Sequence, residues 1–166
     1  EFTKHHKNKV GSSWRMDETY IKIKGKWHYL YRAVDKLGAT IDFMRSKNRD
    51  QLSAKHFFTK AIGYSGTPEK VTIDKSGSNN ATLESINRKF PEQDKIEIRQ
   101  IKYLNNIVEQ DHRFIKKVTK PMMGFKAFHS ANATLIGIEL HHMLRKRQHQ
   151  NAMNLTVHEQ FYALAA

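Results

Sequence analysis

The chain has 166 residues, 39% of them apolar, which suits one domain with a core of its own. Lysine and arginine number 29 against 16 aspartates and glutamates, and the resulting net charge of +13 points to a polyanion, nucleic acid ahead of an anionic membrane surface. The absence of cysteine excludes a disulfide scaffold, a thiol nucleophile and Cys-ligated zinc or iron–sulfur, and no apolar run approaches the ~20 residues of a membrane span.

Residues 1–13 are basic and turn-forming (Lys4, Lys7, Lys9, then Gly11-Ser12-Ser13) and read as a mobile tail or linker remnant. Within them His5-His6 reads as tag-like solvated residues, and the opening Glu1-Phe2 as a processed end, a fragment or a cloning scar. Trp14 to Lys24, Trp27 to Val34 and Ala39 to Met44 are rich in β formers and separated by the turn signals Gly25-Lys26 and Asp35-Lys36-Leu37-Gly38. Such short connections predict an antiparallel three-strand meander. Trp27, Tyr29 and Tyr31 share one face of the second strand and read as sheet core in preference to a base-stacking platform.

The period then changes. Ala54, Phe57, Phe58, Ala61 and Ile62 follow the helical spacing, and Gly63, Gly66 and Pro68 stop them. Val71-Thr72-Ile73 predicts a short buried strand, Leu83 to Phe90 a helix, and Ile96 to Ile101 a fifth strand. Asn105 to Val118 is helical, with Asn105 as its expected N-cap. Ser130 is the expected cap of a long helix running to about Gln148, whose last turn carries Arg145, Lys146 and Arg147, placed to suit the dipole or to track a DNA backbone. The last sixteen residues are weakly patterned. The order β-β-β-α-β-α-β-α-α predicts an α/β domain: a five-stranded mixed sheet, three antiparallel strands then strand–helix crossovers, with helices on both faces. This is the element order of a ribonuclease H-like fold.

Three acids stand out. Strand interiors disfavour carboxylates, yet Asp17 sits inside the first strand and Asp74 at the carboxyl end of the fourth. Ligands of open α/β sheets bind outside the carboxyl ends of parallel strands, so parallel pairing of these two would bring the acids together. An exposed acid on an edge strand, or a helix-capping aspartate, accounts for either one taken alone. Glu109 lies on the helix after the fifth strand, opposite the arc of Ile107, Val108, Phe114, Ile115 and Val118. Lys116 follows it by two turns on the same face, so the carboxylate can sit at a metal while the lysine reaches a phosphate, or both can lie on an ordinary solvated face. Asp111 falls inside the apolar arc and is expected to be hydrogen-bonded or partly exposed. His112 reads as a surface histidine near the site, with proton transfer as the alternative. Three converging carboxylates repel one another, and Mg²⁺, an oxygen-seeking cation, relieves that. A pair of such ions suits phosphodiester chemistry.

The stretches Trp14-Arg15-Met16-Asp17-Glu18-Thr19-Tyr20, Tyr29-Leu30-Tyr31-Arg32-Ala33-Val34-Asp35, Thr72-Ile73-Asp74-Lys75 and Tyr103-Leu104-Asn105-Asn106-Ile107-Val108-Glu109-Gln110-Asp111-His112-Arg113 together resemble a known family. Gly124-Phe125-Lys126 and Gly137-Ile138-Glu139 extend the match, and 34 residues separate Asp74 from Glu109. The chain resembles the catalytic domain of bacterial DDE transposases of the insertion sequence 6 group, relatives of retroviral integrase cores. The resemblance implies that Asp17, Asp74 and Glu109 are the catalytic and metal-binding triad, with two Mg²⁺ ions, or Mn²⁺ in their place. It implies DNA end cleavage and strand transfer by in-line phosphodiester displacement. A truncated or inactive DNA-binding remnant and a ribonuclease H-like nuclease without strand transfer are the alternatives. Lys75, Arg113, Lys116 and Lys117 are the candidate DNA contacts. The expected partners are double-stranded DNA, as transposon ends and target, and further copies of the chain in an active homo-oligomer, with no membrane. The expected location is the bacterial cytoplasm, at the nucleoid. The expected organisation is a tail (1–13), a DDE catalytic domain (14–150) and a C-terminal tail (151–166). Family members usually carry a helix-turn-helix region ahead of the catalytic domain, which nothing before Trp14 is expected to supply.

Overall fold

The computed structural model describes residues 7–150, 152 and 154–164; His5-His6 and Glu1-Phe2 lie outside them. Three strands come first: β1 (Ser13–Ile23), β2 (Lys26–Asp35) and β3 (Thr40–Ser46). Then follow α1 (Gln51–Ser65), β4 (Lys70–Thr72), α2 (Gly77–Asn87) and β5 (Glu97–Arg99). The chain ends with α3 (Asn106–Thr119), α4 (Phe128–Arg145) and α5 (Val157–Ala163). The five strands form one sheet in the order β3-β2-β1-β4-β5. β1, β2 and β3 pair antiparallel, whereas β4 runs parallel to both β1 and β5. The mixed sheet expected from the element order is therefore present.

Period-two alternation in β1 divides the core. Trp14 and Met16 point to one side and pack with Phe57, Phe58 and Ala61 of α1 and Leu83 of α2. Ile21 and Ile23 point to the other, with Ile115 of α3 and Leu135 and Ile138 of α4. Helices thus cover both faces, and each fully buried aliphatic or aromatic side chain stabilises the fold by about 1.5–3 kcal/mol. The pairing of β1 is uneven. β4 spans only Ser13–Arg15, and the next backbone to bridge that edge is Phe125, opposite Ile23. Gly124 makes that bridge feasible: its φ is +109°, and a Cβ there would lie 3.0 Å from the Lys22 carbonyl oxygen.

Several local expectations need correction. Asn105 precedes α3 but has helical dihedrals and makes no cap bond; it is buried, and its amide donates to the Met16 carbonyl at 3.4 Å. Ser130 lies inside the first turn of α4, whose N-cap is Ala127, and its hydroxyl donates back to the Ala127 carbonyl. α4 stops at Arg145, short of Gln148: Arg147 takes a left-handed backbone conformation (φ +54°), and the Gln148 side chain beyond it bonds both backbone groups of Thr40. The weakly patterned C-terminus holds α5, started by a reciprocal Thr156–Glu159 capping box. The described part of the N-terminal segment is tied down. Asn8 N–H donates to the Gln148 carbonyl at 2.8 Å and Gly11 N–H to Asp35 Oδ2 at 2.9 Å. Short hydrogen-bonding residues with no apolar period carry no sequence signal for such contacts.

Candidate active site

β4 ends one residue before Ile73, which is buried, and Asp74 follows at the sheet's rim. Because β4 lies parallel beside Ser13–Arg15, its carboxyl end opens next to Asp17 and Glu18. One carboxylate oxygen from each of Asp17, Glu18 and Asp74 lies within 4.8 Å of the other two. The structure thus brings Asp17 and Asp74 together and adds Glu18. Glu109, in the first turn of α3, is exposed and stands outside that group of three. Its charge still bears on Asp17: burial pushes the Asp17 carboxyl up to about 7, reinforced by the charges of Glu18, Asp74 and Glu109. Among the described residues no lysine or arginine pairs with Asp17.

His112 is the neighbour on the other side, with Nδ1 3.6 Å from Asp17 Oδ2. It is buried, which corrects the expectation of a surface histidine. Val108, His112 and Ile115 form the stripe by which α3 covers β1. Burial first, then the charges of Arg32 and Lys116, lower the imidazole to about 3, so at neutral pH it carries no charge to balance Asp17.

Glu18 faces the opposite side of the sheet, where its partners arrive from distant elements. Asn79 of α2 donates to Oε1 at 3.0 Å. Arg49, just before α1, reaches Oε2 at 3.3 Å and Asp74 Oδ2 at 2.9 Å. Burial raises the Glu18 carboxyl above its ordinary value, against the pull of Asn79 and Arg49. Neither Glu18 nor Arg49 was expected at the site; an acid adjacent to Asp17 inside a strand was the available signal. Asp74 Oδ1 also accepts the Ser76 N–H at 3.1 Å, so the turn entering α2 orients it. Lys75 is exposed, on an open cleft of about 420 Å³ that Asp74 and Arg49 also line. Arg113, Lys116 and Lys117 are exposed on α3.

Beneath α3 runs a buried ionic network. Arg32 stands directly across from Asp17 on β2 and is fully buried. Its Nε donates to Glu139 Oε1 at 2.6 Å and its Nη2 to Asp111 Oδ2 at 2.7 Å. Asp111 also takes His142 Nε2 at 2.6 Å and the Lys146 ammonium. Burial raises Asp111, but the His142 hydrogen bond and the charges of Arg32 and Lys146 outweigh it and hold the carboxyl well below the usual range. Lys146 is therefore turned inward, onto Asp111 and the Thr40 hydroxyl. Asp111 is two residues past Glu109, so this network fixes the helix that presents Glu109.

The donor set at the rim is all carboxylate oxygen, the chemistry of a hard divalent cation, and the uncompensated Asp17 charge is what such an ion relieves. Among the described residues no helix is long and apolar enough to cross a membrane.

The chain is similar to known proteins in sequence and in fold. The transposase for insertion sequence-like element IS431mec of Staphylococcus aureus is 42% identical over 148 residues, 89% of this chain and 64% of that protein. The transposase for insertion sequence element IS257 in transposon Tn4003, also of Staphylococcus aureus, matches to the same extent. The chain therefore spans 64% of the length of these curated relatives. Among solved structures, the HTLV-2 integrase catalytic core domain in complex with magnesium (dimeric form) superposes with a TM-score of 0.52 at 19% identity, over 66% of this chain and 70% of that one. The simian T-cell lymphotropic virus intasome, in complex with PP2A regulatory subunit B56 gamma, gives 0.52 at 15% identity, over 95% and 49%. These last two likenesses establish the ribonuclease H-like, integrase-core fold. A family model of the DDE domain, DDE_Tnp_IS240, matches residues 11–148. With that match over most of its length and the close relatives beside it, the chain belongs to the DDE transposase family.

Proposed function

We propose that this domain is the catalytic core of a DNA transposase that cleaves element ends and joins them to target DNA by in-line displacement at phosphorus. The observation that carries the proposal is the approach of Asp17 and Asp74 across the β1–β4 pair, with Asp17 left uncompensated. Asp17 and Asp74, with Glu109 from α3, are the residues that would hold Mg²⁺, two ions when DNA is present. Bound there, Mg²⁺ supplies Lewis-acid stabilisation of the entering and leaving oxygens.

The chain's own residues do the rest. Arg49, anchored on Glu18, holds Asp74 at the rim. Arg32, through Asp111, fixes the register of α3 and with it Glu109. Lys75, Arg113, Lys116 and Lys117, all exposed, draw in the DNA backbone and add to its salt-dependent affinity. Neutral His112 closes one side of Asp17 without competing for its charge. No side chain becomes covalently attached to DNA in this scheme. Transposon ends and target DNA are the proposed substrates, a homo-oligomer pairing two ends the proposed assembly, and the nucleoid the proposed site of action. The N-terminal tail, the catalytic domain over 14–150 and the C-terminal segment are the proposed organisation.

The test is a pair of assays on duplexes bearing an element end: nicking, and joining of a pre-cut 3′ end. Asp17→Asn, Asp74→Asn and Glu109→Gln are each expected to abolish both while leaving duplex affinity in place. Nicking without joining would show a plain nuclease, and binding without nicking a DNA-binding remnant. Retained cleavage in any one variant removes that residue from the triad.

A further inference from the structure

Trp27, Tyr29 and Tyr31 do not share one fate. Tyr31 is fully buried in the α1-side core and Tyr29 is half-buried, but Trp27 is 63% exposed. Tyr20, paired with Tyr29 across the hairpin, is 50% exposed. Its ring meets Trp27 edge-on at 6.4 Å and Tyr29 at 5.3 Å. Lys22 Nζ lies 5.8 Å from the Trp27 ring centroid. A cleft of about 400 Å³ opens here, lined by Tyr20, Trp27 and Lys22 from the hairpin, Lys116 and Lys120 from α3 and its end, and Phe125. It occupies the stretch of the β1 edge that β4 leaves uncovered.

Sheet packing does not require these rings in water. Exposed aromatics among lysines match a single-stranded nucleic acid, the rings taking a base face and the ammonium groups the phosphates. A base inside a duplex offers only its edge, so stacking requires an unpaired one. The position fits the same ligand. β1 and α3 run from the acids toward the cleft side by side. Tyr20 is three strand residues beyond Asp17, about 10 Å. Lys116 is two turns beyond Glu109, also about 10 Å.

We propose that this cleft receives an unpaired nucleobase of the DNA strand adjoining the phosphate at Asp17 and Asp74, stacked on the face of Trp27 with Tyr20 walling its edge, and with the flanking phosphates held by Lys22, Lys116 and Lys120. This rests on the reading of the acids as the phosphodiester site. The test uses the full chain in EDTA, with labelled duplexes of one sequence: blunt, carrying a three-nucleotide single-stranded tail, and carrying the same tail without bases. The base-bearing tail is expected to bind tighter than the abasic tail by about five-fold or more, the stacking of one base. Trp27→Ala and Tyr20→Ala erase that difference and Trp27→Phe keeps most of it. Trp14 is buried, so quenching of the exposed tryptophan on adding the tailed duplex reports the contact directly. Equal affinity for the two tails overturns the proposal, as does a Trp27→Ala variant that loses blunt duplex as strongly as tailed. A Trp27→Ala variant that turns a dimer into a monomer with tail preference intact makes the cleft a self-interface and also overturns it. Because EDTA removes cleavage from the measurement, the two readings fail separately. A chain that prefers base-bearing tails but never cuts refutes the catalytic reading alone. A chain that cuts without that preference refutes this one alone.

Discussion

Replacing Asp17 by asparagine removes a charge that no lysine or arginine balances among the described residues, while keeping the side chain's shape. The Asp17 carboxyl is pushed up to about 7, from an ordinary value of 3.8. A folded-state value above the unfolded one means that the native state binds the proton more tightly. The stability this contributes is complete below pH 4 and is lost as pH rises through 7. At about 1.4 kcal/mol per pH unit, the loss reaches about 4 kcal/mol above pH 8 in the absence of metal. The side chain is only 19% exposed, so solvent screening takes little of it. Asparagine is neutral at every pH, so Asp17→Asn is expected to be more stable than the parent at pH 8 by up to about 4 kcal/mol, and indistinguishable from it below pH 4. On a chain of this length that is roughly 8–16 °C in Tm. The assay is urea unfolding of both proteins from pH 4 to 9 in EDTA, repeated with Mg²⁺. Mg²⁺ should raise the parent toward the variant at pH 8 and leave the variant unmoved. A variant less stable than the parent at pH 8 in EDTA would show instead that the Asp17 charge is already satisfied by the protein.

Three further outcomes follow from the same geometry. His112, lowered to about 3, should show no titration between pH 5 and 8 in histidine ¹H–¹⁵N spectra, and a midpoint near 6.5 would place it in solvent. Glu139→Gln leaves the fully buried Arg32 with one carboxylate in place of two, and should cost about 3–5 kcal/mol in urea unfolding. The double change Arg32→Met with Glu139→Leu should recover part of that loss, because an apolar pair leaves no charge stranded. Gly124→Ala strains a backbone at φ +109° and drives a Cβ to 3.0 Å from the Lys22 carbonyl; it should lower stability by about 1–3 kcal/mol and raise amide exchange at Lys24 and Phe125.

The meander was legible because alternation is local: Trp14 and Met16 against Ile21 and Ile23 already divide the core. Asp17 and Asp74 stood out because acids are misplaced inside and at the end of buried strands. Glu18 was not legible as a clamp, because its partners Arg49 and Asn79 lie 31 and 61 residues away and meet it only when α1 and α2 cover that face. His112 sat at the border of the helical wheel, where burial depends on how closely β1 approaches α3, a tertiary fact. Asn105 and Ser130 have the chemistry of caps, but Asn105 bonds the Met16 carbonyl and Ser130 its own first turn. Trp27 misled in the other direction. Its alternation with Tyr29 and Tyr31 is real, but the hairpin reaches beyond α1, so the same face that is core at Tyr31 is open at Trp27.

Acids from β1, the end of β4 and α3 are proposed to hold a divalent cation jointly. Anomalous diffraction from Mn²⁺-soaked crystals, collected with and without an end-bearing duplex, tests it most directly. A peak bound by Asp17 and Asp74 is expected, with Glu109 joining the coordination when DNA is present. A peak held by Glu18 with Glu109 remote, or well-ordered acids with no peak at saturating Mn²⁺, would contradict it.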